Sequence, residues 1–161
     1  MATIDVGPGA TVRSTTIGGN TYIDKANPAN GTGTIDHLDA WMSTGIVGDI
    51  DLGSFEEVSP DTFTTRGSVT VTPAAGDNDF DAPGDFTAFA IAIGDYLGAY
   101  TPQFKLSFKS DATGGSGYWW KAGDNIPCTG AGFAFTSAET FSIYGTGVEA
   151  SSYIPQIMMI G

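Results

Sequence analysis

The stretch TIDHLDAWMS, residues 34–43, decides the fold class. In an extended chain Leu38, Ala40 and Met42 fall on one side and Asp39 and Trp41 on the other. Successive side chains of a strand point to opposite faces, so this period of two is a half-buried β-strand. A helix would keep an apolar period of 3.6, and no long stretch of the chain does so.

The neighbouring segments repeat the pattern. In residues 46–56, Ile50 and Leu52 oppose Asp49 and Asp51. Residues 62–72 (TFTTRGSVTVT) form another strand, with a bulge expected at Gly67. Residues 11–17 and 20–25 flank Gly18–Gly19 and read as a hairpin, followed by a loop over 26–33. Residues 86–93 (FTAFAIAI) are apolar on both faces, which predicts a central strand covered on both sides. Further strand candidates lie at 96–101, 105–109, 118–122, 133–135, 139–145 and 153–160. Glycine, proline and the short polar residues punctuate these runs. The prediction is an all-β fold: one antiparallel two-sheet β-sandwich over residues 1–161, jelly-roll-like, with about ten strands.

The chain carries 18 acids against 6 bases, a net charge of −12. That balance argues against nucleic acid and anionic membranes as partners, since both need clustered Lys and Arg. No apolar run reaches the roughly 20 residues of a membrane helix. The N-terminus lacks the basic and apolar regions of a secretory signal. The expectation is synthesis in the cytoplasm and release by lysis, unless a signal has been removed. Cys128 is the single cysteine, so no intramolecular disulfide forms.

Four constellations invite a functional reading. His37 is the only histidine, and no G-x-S-x-G elbow accompanies it, which points away from a hydrolase and from zinc. GDNDFDAPGDF (76–86) alternates Asp77, Asp79 and Asp81. It fails the EF-hand pattern, because Ala82 stands at the sixth position and Ala88 at the twelfth. Two alternatives remain: a looser calcium loop on Asp77, Asp79 and Asp81, with calcium as the candidate cofactor, or an acidic turn with Phe80 in the core. GYWWKAGDN (117–125) offers Tyr118, Trp119 and Trp120 as a sugar-stacking platform with Asp124 and Asn125 as polar partners, or as packed aromatics. The two ends are apolar. Ile4 and Val6 sit in a candidate detachable arm over residues 1–10. Tyr153, Ile154, Ile157 and Met158 sit in a C-terminal strand that a neighbouring subunit or the chain's own sheet would cover.

IDVGPGA (4–10), ANPANGTGTID (26–36), IGDYLGAY (93–100), GYWWKAGDN (117–125) and FSIYGTG (141–147) together resemble a group of uncharacterised small proteins of bacteriophage and environmental genomes. The resemblance covers most of the chain and rests on turn-and-strand signatures. It implies a β-sandwich of virion or extracellular structural type and carries over no catalytic residue. The functional expectation is a non-enzymatic structural protein that assembles with copies of itself, as a capsid decoration or fibre-like virion component bound to a major capsid or tail protein. Two alternatives stand beside it: a carbohydrate-binding module and an extracellular filament subunit.

Overall fold

The computed structural model describes residues 2–151. These residues form fifteen strands and no helix, in two antiparallel sheets packed as a β-sandwich. The described residues hold no helix long and apolar enough to cross a membrane.

One sheet holds eight strands: β1 (Thr3–Val6), β2 (Thr15–Ile17), β4 (Gly33–Met42), β7 (Gly76–Asp81), β8 (Phe89–Ile91), β10 (Phe108–Asp111), β14 (Thr140–Phe141) and β15 (Ile143–Glu149). The other holds seven: β3 (Asn20–Asp24), β5 (Ile50–Ser59), β6 (Thr62–Val71), β9 (Tyr96–Tyr100), β11 (Tyr118–Ala122), β12 (Ala131–Gly132) and β13 (Ala134–Thr136). Strand β4 is the opening stretch of the sequence, and it organises its sheet. It pairs with β15 along one edge and with β7 and β8 along the other.

The main core lies between the sheets. Leu38, Ala40 and Met42 of β4 and Ile143 of β15 meet Ile50, Leu52, Leu97 and Ala99 of the seven-stranded sheet. A second, smaller core covers the opposite face of that sheet. Along β3, Tyr22 belongs to the main core and Ile23 to the second; along β11, Tyr118 and Trp119 divide the same way. Residues 126–133 close the second core with Ile126 and Phe133, and Cys128 packs at its margin. The central strands of this sheet are therefore apolar on both faces.

Two bulges re-aim side chains. Between β5 and β6, Ser54 pairs with Gly67 and Phe55 with Thr65, which leaves Arg66 as the extra residue. This is the irregularity expected at Gly67. Between β4 and β15, Thr146 pairs with His37 and Gly147 with Ile35, which leaves Asp36 extra. Ile35 and Leu38 are therefore both buried while Asp36 and His37 face outward.

Several expectations need correction. Residues 11–25 are not a hairpin. Strand β2 pairs with β10 in one sheet, whereas β3 pairs with β9 and β11 in the other, so the chain changes sheets at Gly18–Gly19. The near-complete burial of β3 demands a central position, which an edge hairpin would not supply. The central strand expected over 86–93 shrinks to Phe89–Ile91, with Ala88 and Ala90 exposed and Ile93 69% exposed. Alanine faces cost little in water, so an apolar alternation built on Ala does not require cover. Residues 2–10 do not form a free arm. Ile4 and Val6 are fully buried in the protein's own core. Strand β1 pairs with β15, and the Gly7 amide donates to the Asn27 carbonyl. The assembly residues Tyr153, Ile154, Ile157 and Met158 lie outside the described residues.

Candidate functional site

The aspartates at 77, 79 and 81 sit on strand β7, not on a loop. Asn78 and Phe80 face inward, and the three carboxylates face outward. The Asn78 side chain accepts the Ala74 amide at 2.8 Å and donates to the Ala74 carbonyl at 2.8 Å, which fixes the start of the strand. The turn follows at residues 81–85, where the Asp81 amide donates to the Asp85 carboxylate at 2.9 Å.

The outward side chains of β7 lie opposite those of β4. His37 pairs with Asp81, Asp39 with Asp79 and Trp41 with Asp77. Asp39 and Asp79 are like charges directly across a ladder, an arrangement that destabilises a sheet unless a cation intervenes. His37 supplies it. Its Nδ1 lies 2.7 Å from Asp81 and 3.3 Å from Asp79, and its Nε2 lies 3.3 Å from Asp39. With both ring nitrogens facing carboxylates, the geometry favours the doubly donating imidazolium.

The metal expectation changes accordingly. Side chains two apart on one strand are spaced by about 6.6 Å, so a strand does not converge Asp77, Asp79 and Asp81 on one point. The donors that do converge are His37, Asp39 and Asp79, within 4.8 Å of one another. One nitrogen among carboxylates suits a borderline divalent cation better than calcium. Sequence reasoning missed His37 and Asp39 as partners of this stretch. The signal was the β4 alternation itself, which needed the register with β7 to become a site. Strand β7 also has a plain structural role: it pairs only with β4 among the described residues, and outward acids protect such an edge from strand addition.

Titration follows from this geometry. Partial burial pulls the His37 proton off, but the carboxylates of Asp81, Asp39 and Asp79 outweigh it and hold the group above its ordinary value. Burial raises Asp39, and the Asp79 and Asp77 charges add to it against the opposing pull of His37. A histidine raised on folding contributes stability in full below its unfolded pKa of about 6.5, and loses it as pH rises through the folded value. The melting temperature should therefore fall as pH rises above about 6.5, and this slope should flatten in His37→Gln and in high salt. A slope equal in both proteins would contradict the pairing.

The expected sugar platform is not available. Trp119 is 3% exposed and Tyr118 6%. The Trp119 ring packs 4.8 Å from Phe63 and 5.0 Å from Tyr96, and its Nε1 donates to Asp61 at 2.7 Å. Only Trp120 of the three reaches solvent, at 37%. Asp124 and Asn125 shape the following turn: Asp124 accepts the Ile126 amide, and Asn125 donates to the Ala122 and Gly123 carbonyls. Burial wins here because β11 lies between β3 and β13, beneath the second core.

Comparison with protein-family models, curated proteins and solved structures returned no match.

A third feature is an apolar tip. The segment 43–48 runs beside 101–107, and the Leu106 amide donates to the Ile46 carbonyl at 2.9 Å. Leu106 is the buried anchor of this pair. Around it Ile46, Val47 and Phe104 are 64%, 53% and 85% exposed. Phe104 also has a φ of 68°, a left-handed conformation that costs a bulky residue on the order of 1–3 kcal/mol. A strained backbone that presents an aromatic ring to water makes this tip a candidate contact surface.

Proposed function

We propose that this chain is a non-enzymatic structural β-sandwich that assembles with copies of itself. The carrying observation is the apolar tip, where Ile46, Val47 and the backbone-strained Phe104 stand in water. A second copy covering these side chains would gain about 25 cal/mol for each Å² removed from water. Both His37 ring nitrogens are engaged by carboxylates, which supports a structural rather than a base-catalytic use of the ring. Placement on a phage particle, as a decoration or fibre-like component against a capsid or tail protein, rests on the resemblance of the turn-and-strand signatures alone. Electron microscopy separates that placement from an extracellular filament, since one gives closed particles and the other open polymers.

Phe104→Asp should abolish self-association while the melting temperature stays within a few degrees, because the side chain touches little of its own fold. Size-exclusion chromatography with light scattering reads the mass. An unchanged oligomer in Phe104→Asp would remove the tip from the interface.

A further inference from the structure

The outer face of the eight-stranded sheet holds a cleft of about 580 Å³ where β4, β10 and β2 meet. Met42 of β4 pairs with Phe108 of β10, and both are buried, so their neighbours Trp41 and Lys109 turn outward together. Thr16 of β2 pairs with Lys109 and continues the row. Lys105, Ser43 and Ser107 complete the wall. The Ser43 side chain accepts the Ser107 amide at 3.0 Å, and the Ser43 amide donates to the Ser107 carbonyl at 2.8 Å, so this wall is pinned.

Charge makes the cleft unusual. The chain has six bases among 24 charged residues, and two of them face this one space. Among the described residues the ion pairs engage Arg13, His37 and Arg66, but neither lysine. Two ammonium groups lining one cleft make it a local basic site in an acidic protein, which suits an anion. Trp41 adds an aromatic wall at one end, and the hydroxyls of Thr16, Ser43, Thr44 and Ser107 add donors and acceptors. The outward Asp77, paired with Trp41, disfavours a long polyanion extending past the ring. Lys105 is also positioned rather than free: its stem lies against Gly48, where an added Cβ would approach Lys105 Cγ to 2.8 Å.

We propose that this cleft binds an acidic saccharide, with a sugar ring against Trp41, its carboxylate or sulfate between Lys105 and Lys109, and its hydroxyls on Thr16, Ser43 and Ser107. The site is separate from the Trp119–Trp120 segment, and the inference does not depend on self-assembly.

The test is titration of the full chain with a glucose–glucuronic acid disaccharide, with cellobiose and with sulfated cellobiose, followed at the Trp41 indole N–H by NMR. Trp41→Phe assigns the signal. The expected result is a saturable shift with an acidic disaccharide and at least about tenfold weaker binding of cellobiose, consistent with charge-assisted contacts. Comparison of the two acidic probes tells carboxylate from sulfate recognition. The Lys105→Gln, Lys109→Gln double variant should lose the preference for the acidic sugar while keeping its melting temperature. Gly48→Ala should weaken binding with both lysines intact. No saturable shift with either acidic probe, equal binding of cellobiose, or an unchanged preference in the double variant would overturn the proposal. Assembly and binding are read separately, so loss of one leaves the other standing.

Discussion

Replacing Arg66 with alanine should cost the fold about 3 kcal/mol, among the largest effects of any single change to a charged residue in this chain. Arg66 is the extra residue of the β5–β6 bulge, and the bulge turns it toward Asp95. Its Nε donates to Asp95 at 2.6 Å and an Nη at 3.2 Å, and the Ala92 amide adds a third bond at 2.9 Å. The Asp95 side chain is 3% exposed. Removing the guanidinium therefore strands a carboxylate in the interior, which costs far more than the pair itself contributes. Arg66 keeps a third of its surface in water, which places the cost at the low end of the buried range. A double-mutant cycle separates the causes. In an Asp95→Asn background the Arg66→Ala change should cost much less, because no charge is left behind. Equal costs in both backgrounds, measured by urea unfolding, would show that packing and not the pair holds this bulge.

Trp119→Ala should be comparably damaging, at about 3–5 kcal/mol, with a fall of about 10 °C in melting temperature for a chain of this size. The ring is the hub of the second core, within 5.3 Å of the Phe63, Tyr96 and Phe135 rings, and the Lys25 ammonium lies 5.8 Å from its centroid. The change opens a cavity and leaves the Asp61 carboxylate without its indole donor. Trp120→Ala, on the same strand, should stay within about 1 kcal/mol because the side chain is partly solvated. The contrast is read by thermal unfolding. Similar losses for both variants would contradict the assignment of Trp119 to a core and Trp120 to the surface.

The fold class was legible because two strands announce themselves. The alternation at 34–43 and at 46–56 placed Leu38, Ala40, Met42, Ile50 and Leu52 inside, and they are inside. The bulge at Gly67 was legible from one glycine in an otherwise regular strand. What the sequence concealed was pairing. Nothing local says that 15–17 and 20–24 join different sheets, or that 76–81 lies against 37–42. That second pairing brings Asp39, Asp79 and Asp81 together around His37, so the site depended on contacts distant in sequence. The second core was hidden for a related reason: YWW announces aromatic surface or aromatic core equally well, and only the loop at 126–133 decides which. The apolar tip was missed because Phe104 sits in a short loop with no period to read. Its exposure and its left-handed backbone are visible only in three dimensions.

Self-association through the tip is the center of this account, and sedimentation velocity on the purified chain over a wide concentration range tests it most directly. The account predicts a species that grows with concentration in the native chain and a lone monomer in Phe104→Asp. A native chain that sediments as a monomer at every concentration would contradict it.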